Sequence, residues 1–139
     1  MKCRLIAFLC VLGAVVIAED NLSDRVLTAI RMAESGNNPN AIGDGGKAVG
    51  VYQLHKIYVD DANRILGSRV YKYSDRTDVY KSTKIVKAVL NHYAKNYERT
   101  TGKRCTDEVV ARIHNGGPYG YRKQSTIKYW NKVKSHIKR

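Results

Sequence analysis

The sequence is poor in the residues that staple, ligate or stiffen a chain. It has three cysteines, and Cys3 and Cys10 both lie within the first ten residues, so Cys105 stands alone in the remainder. That excludes a disulfide-dense scaffold. Cys105 is expected as a small buried hydrophobe. The four histidines are scattered and no His/Cys group has metal-ligand spacing, so neither a metal nor any other cofactor is expected. No glycine loop runs into Lys-Ser or Lys-Thr, and no nucleophile elbow is present, which leaves phosphate-cradling and serine-nucleophile chemistry without a motif. Nothing supports a thiol–imidazole pair between Cys105 and His114. There are only two prolines, both within turn-rich motifs, and there is no repeat, low-complexity tract or linker. At 139 residues this is one domain.

Acidic residues are the scarcer charge, 12 Asp and Glu against 25 Lys and Arg, for a net +13. Part of that excess sits at the start. Met1-Lys2-Cys3-Arg4 is basic, Leu5 to Ala18 is apolar, and Val16-Ile17-Ala18 offers small residues for cleavage just before Glu19-Asp20. Residues 1–18 read as a secretory signal peptide, too short for a comfortable membrane span, leaving 19–139 as the mature domain. Cleavage removes Lys2 and Arg4 and no acid, so the exported chain stays strongly basic. Such self-repulsion does nothing for stability and points to an anionic partner. Export favours a cell wall or a membrane surface over nucleic acid.

Helical periodicity dominates the rest of the chain. Leu22, Val26, Ile30 and Ala33 share one face, with Asn21 or Ser23 as cap and Gly36 as stop. Residues 37–50 are too rich in Gly and Asn for a helix and read as a loop closing into a small hairpin. A second helix fits Tyr58 to Leu66. Asp75, with Asp78 behind it, is expected to start the longest helix, with Val79, Ser82, Val86, Leu90, Tyr93 and Tyr97 inward and Lys81, Lys84, Lys87, Lys95 and Arg99 outward. Thr106 caps a fourth helix that stops at Asn115-Gly116-Gly117-Pro118. Ser125 or Thr126 caps the last, with Ile127, Trp130, Val133 and Ile137 inward. The fold class is α+β, predominantly α, with a small irregular or β-hairpin lobe.

Two carboxyl groups stand in unlike settings. Glu34 ends the first helix at the edge of its apolar face, where poor solvation should raise its pKa and keep a proton available. Asp44, in Gly43-Asp44-Gly45-Gly46, is placed on an exposed polar loop where it stays ionised. One donor and one carboxylate are what acid-catalysed cleavage of a glycosidic bond requires. Gly50-Val51-Tyr52-Gln53-Leu54 adds Tyr52 for stacking on a sugar and Gln53 for its hydroxyl or N-acetyl groups. His114, Asn115 and Gly116 stand at a helix end facing a tight turn, and Tyr119, Tyr121 and Tyr129 extend the aromatic supply.

Ala111-Arg112-Ile113-His114-Asn115-Gly116-Gly117-Pro118, followed by Tyr129-Trp130-Asn131-Lys132-Val133, resembles the C-terminal signature of the invertebrate-type, or destabilase-like, lysozymes. Glu34-Ser35-Gly36 is similar to that family's catalytic Glu-Ser-Gly, and Gly50 to Leu54 to its Gly-aromatic-aromatic-Gln-Ile stretch. The resemblance covers most of residues 24–134 and implies a lysozyme-like fold. It implies Glu34 as general acid, Asp44 as second catalytic carboxylate, and Gln53, His114 and Asn115 along a cleft. The implied reaction is hydrolysis of the β-1,4 bond between N-acetylmuramic acid and N-acetylglucosamine in peptidoglycan, by a secreted, bacteriolytic and monomeric enzyme. Where the family carries cysteines this chain has Val49 and Tyr121, and the loop from Glu34 to Gly50 is shorter. Two alternatives remain open at this point: a lytic transglycosylase using a single Glu, and a non-catalytic cationic wall-binding protein.

Overall fold

The computed structural model describes residues 22–137; the segment read as a signal peptide and the alternative cap Asn21 lie outside the described residues. Helix α1 (Asp24–Ser35) starts where the Ser23 side chain accepts the Val26 N–H, and it ends at Gly36 in the left-handed conformation. Its buried residues, Val26, Leu27, Ala29, Ile30 and Ala33, include three of the four periodic positions read from the sequence, and the fourth, Leu22, is buried just ahead of the helix. Arg25 reaches Asp107 at 2.7 Å, fastening the start of α1 to the start of a later helix.

After α1 the chain turns into a hairpin of two short strands, β1 (Ile42–Gly43) and β2 (Ala48–Val49), antiparallel with Ile42 opposite Val49. A 3₁₀ turn over Asp44–Gly46 joins them. The lobe is pinned from behind. Arg76 is buried, and its guanidinium donates to the carbonyls of Tyr73, Lys47 and Leu54 at 2.8, 3.0 and 2.9 Å. Gly50 lies against the same segment with φ +80°, and its N–H donates to the Ala41 carbonyl. A guanidinium with five fixed donors can tie two carbonyls of an irregular lobe, which has almost no ladder of its own, to the Tyr73 carbonyl of its own turn.

Helix α2 (Lys56–Leu66) begins two residues earlier than the periodicity suggested, with His55 at its cap and Gly67 as its stop. Helix α3 (Val79–Thr101) is the longest, and its cap is Asp78, whose carboxylate accepts the Lys81 N–H, rather than Asp75. Asp75 is spent elsewhere: its two oxygens accept the Lys72 N–H and the Lys81 ammonium, at 2.8 and 2.9 Å. These bonds close a separate 3₁₀ turn, Tyr73–Thr77, before α3 begins. The inner face of α3 is therefore Ser82, Ile85, Val86, Val89, Leu90 and Ala94, while Val79 is exposed and Tyr93 and Tyr97 are half-buried. Lys87, expected in solvent, is half-buried and lies 3.5 Å from Asp24.

Helix α4 (Asp107–Gly116) is capped by Thr106, with Asp107 and Glu108 favourable in its first turn. Helix α5 (Thr126–Ser135) has no side-chain cap: the Thr126 hydroxyl is buried 2.8 Å from the Gly120 carbonyl and accepts from Arg112. Helix α3 packs against α2 and α4, and α5 closes over α1 and α4. The result is a helical body with one small two-stranded lobe, the α+β class expected. No helix among the described residues is long and apolar enough to cross a membrane.

Cys105 is free and half-buried. Burial, reinforced by the carboxylates of Glu98 and Asp107, pushes its thiol up to about 12. Since the thiolate is the nucleophile, alkylation at pH 8 should run on the order of a thousandfold slower than for an unperturbed thiol. Iodoacetamide treatment followed by mass spectrometry is expected to leave the Cys105 peptide unmodified in the native protein and to modify it fully in denaturant.

Candidate active site

The end of α1, the hairpin turn, the start of α2 and the end of α4 converge on one open cavity of about 460 Å³. Glu34, Asp44, Tyr52, Gln53, His114 and Asn115 all contribute to its lining, with His55 and Tyr58. Gly116 does not. It faces α5, where a Cβ would come within 2.6 Å of Thr126 Cγ2, so its small size serves helix packing.

Glu34 is 20% exposed in its side chain. The Tyr129 hydroxyl donates to its Oε1 at 2.7 Å, and His114 Nε2 lies 3.5 Å from the same oxygen. His114 is almost wholly enclosed, at 3% exposed, with its Nδ1 3.1 Å from the Tyr58 hydroxyl. The imidazole thus bridges the Tyr58 hydroxyl and the Glu34 carboxylate. These partners reverse the sequence-based expectation for Glu34. Burial pushes its pKa up, but the hydrogen bond and charge of His114, the Tyr129 hydroxyl and the charge of Lys132 outweigh burial, and the net direction is down. Alone in the free protein, this carboxyl favours the ionised form.

Asp44 stands in the hairpin turn with φ +47°, a left-handed setting that Asp tolerates better than most residues. Its side chain is 59% exposed, and its Oδ2 is 3.2 Å from His55 Nε2. A pair this open is held weakly. The contrast between the carboxyls is therefore one of enclosure: Glu34 is clamped by aromatic and imidazole groups, and Asp44 is open to water.

Two of the expected sugar contacts take other positions. Tyr52 is 1% exposed and lies under the cavity floor, its hydroxyl 3.3 Å from Thr83 Oγ1. Its ring is core, not a stacking surface. Gln53, at φ +50°, turns its amide nitrogen onto the carbonyls of Ala41 and Gly50, at 3.1 and 2.9 Å. It braces the hairpin and packs against Gly43, where an added Cβ would meet Gln53 Oε1 at 2.5 Å. Asn115 is exposed beside the cavity. His55 and Tyr58 do not stand out as site residues in the sequence. His55 directly succeeds the Tyr52-Gln53-Leu54 stretch, so a polar side chain at the next helix cap was the available signal. The pairing of Tyr129 with Glu34 joins the first and last helices and leaves no local trace.

Residues 23–136 match the Destabilase family. A lysozyme of Ostrea edulis is 36% identical over 119 residues, spanning 84% of this chain and 82% of that protein. Invertebrate-type lysozyme 6 of Caenorhabditis elegans is 30% identical, spanning 88% and 92%. Among solved structures, a chain in the crystal structure of Aeromonas hydrophila PliI in complex with Meretrix lusoria lysozyme superposes with a TM-score of 0.68. It is 32% identical and covers 83% of this chain and 90% of that one.

Proposed function

Because this chain belongs to the Destabilase family and is a lysozyme-type enzyme, we propose that it hydrolyses the β-1,4 bond between N-acetylmuramic acid and N-acetylglucosamine in bacterial peptidoglycan. It acts outside the cell as a secreted, bacteriolytic monomer that needs no cofactor. The observation that carries the reading is Glu34, clamped by Tyr129 and His114 at one side of a cavity whose hairpin side brings Asp44.

In this mechanism Glu34 gives its proton to the glycosidic oxygen as the bond to the anomeric carbon breaks. A bound strand covers the exposed edge of Glu34, which strengthens the burial that favours the protonated form. Tyr129 and His114 fix the carboxyl's direction and stabilise the carboxylate left after transfer. Asp44 supports the positive charge at the anomeric carbon or attacks that carbon, with His55 beside it; a water then bonds to the anomeric carbon, displacing Asp44 where it has attacked, and gives its proton back to Glu34. Asn115 offers an amide to sugar substituents at the cavity edge. The basic surface draws the enzyme to anionic walls, an attraction that salt weakens.

Identifying the products released from purified peptidoglycan tests this. Hydrolysis leaves new reducing N-acetylmuramic acid ends, and replacing Asp44 by Asn should cut their yield sharply. Anhydro-sugar ends that survive Asp44→Asn would instead identify a transglycosylase. Release of no sugar ends at all, with salt-sensitive killing that persists in Glu34→Gln, would identify a non-catalytic wall binder.

A further inference from the structure

A cavity of about 370 Å³, separate from the one at Glu34, lies between the hairpin turn and the start of α2. Gly45, Gly46, Lys47, His55, Lys56 and Arg76 line it, so four of its residues are basic and none is acidic. The nearest acid in sequence, Asp44, lines the Glu34 cavity instead, with its Oδ2 3.2 Å from His55 Nε2.

Arg76 sets this cavity apart from a chance gathering of surface bases. It is only 8% exposed, and its Nε and Nη1 are spent on the carbonyls of Tyr73, Lys47 and Leu54. Its Nη2 donates to none of the described residues, and none of their carboxylates forms an ion pair with it. The adjacent Asp75 is committed to the Lys72 N–H and the Lys81 ammonium. Neutral carbonyls satisfy hydrogen bonds but supply no counter-charge, which a buried cation needs. Burial accordingly pushes the guanidinium pKa down. Lys47 and Lys56, both exposed, add like charge to the same lining, and the Lys56 ammonium stands 5.3 Å over the Tyr73 ring. Three like charges around one hollow repel one another, and an anion between them relieves that repulsion.

We propose that this cavity binds an oxyanion, a carboxylate or phosphate group, held by the unspent Nη2 of Arg76 and by the ammonium groups of Lys47 and Lys56. A guanidinium donates to the planar edge of such a group, and the two flexible lysines follow its charge. Peptide carboxylates and polymer phosphates on an anionic wall both present that chemistry. The site does not depend on the reading of Glu34 as the cleavage residue.

NMR titration of the isotope-labelled protein tests it, with inorganic phosphate and separately with acetate, at constant pH and ionic strength. The Arg76 Nε–H signal and the amides of Gly45, Gly46 and Lys47 should shift along a saturating curve. Replacing Arg76 would free three carbonyls and loosen the hairpin, so the lysines are varied instead. The double variant Lys47→Gln, Lys56→Gln should bind about tenfold more weakly. Lys134→Gln, which removes a like charge from exposed α5 surface outside the lining, should leave the affinity unchanged. Circular dichroism of each variant checks the fold. Tighter binding of phosphate supports the proposal with a phosphate group as occupant, and tighter binding of acetate supports it with a carboxylate. Shifts that never saturate, an Arg76 signal that stays in place, or undiminished affinity in the double variant would overturn it.

Discussion

Replacing Glu34 by Gln is expected to slow peptidoglycan cleavage by a factor of about 10²–10⁴, the range that a positioned general acid supplies. The fold should hold. The Gln side-chain carbonyl can still accept from the Tyr129 hydroxyl, and the side chain keeps its size against the end of α1. The pH profile carries a second signature. The free-protein pKa of Glu34 is depressed by His114, Tyr129 and Lys132. The protonated donor is therefore scarce in free enzyme except at acid pH, and kcat/KM, which reports free enzyme, should fall first as pH rises. In the complex the substrate covers the exposed edge of the carboxyl, burial gains weight, and kcat should hold to higher pH. Coincident limbs in Glu34-intact enzyme would contradict this division. The same depression has a stability consequence: the stabilisation from ionised Glu34 is fully present above the ordinary glutamate pKa and is lost as pH falls through the lower folded value.

The largest effect on stability is expected at Gly50. An alanine Cβ there would stand 2.0 Å from the Arg76 carbonyl oxygen, a backbone atom that cannot step aside, and φ is +80°. Left-handed backbone costs a non-glycine residue roughly 1–2 kcal/mol, and forced overpacking typically about 1–3 more. Gly50→Ala should therefore lose about 2–5 kcal/mol, a large share of the roughly 5–15 kcal/mol that holds a domain together. The control is Gly45→Ala, also left-handed at φ +59° but with nothing within 4 Å of an added Cβ. It should lose only the conformational part, about 1–2 kcal/mol. Urea unfolding of the two variants reads the difference. Equal losses would mean that the lobe is not anchored through Gly50 and Arg76. Because the hairpin carries Asp44, residual folded Gly50→Ala protein should also cleave poorly.

Features set by local chemistry are legible in the sequence alone. The Ser23 and Thr106 caps, the glycine stops at Gly36, Gly67 and Gly102, and the position of Glu34 at a helix end all come from residues within a few positions of one another. Features settled at a distance are not legible there. Asp75 and Asp78 both suit a helix cap; Asp78 takes that role because the Lys72 N–H and the Lys81 ammonium claim Asp75. The motif around Tyr52 lines the cavity, yet the ring itself is buried, with its hydroxyl against Thr83 of α3, a partner 31 positions away. The direction of the Glu34 pKa differs from expectation for the same reason: apolar neighbours on α1 argue for a rise, but His114 from α4 and Tyr129 and Lys132 from α5 decide it.

The role of Glu34 as proton donor is tested most directly by the leaving group. A chitooligosaccharide carrying a strongly acidic phenol departs without protonation, whereas a sugar alcohol does not. Rates of Glu34→Gln relative to wild type should be close to one on the activated aryl glycoside and lower by about 10²–10⁴ on the natural linkage. An equal, severe loss on both substrates would contradict the assignment, placing Glu34 in some role other than giving a proton to the departing oxygen.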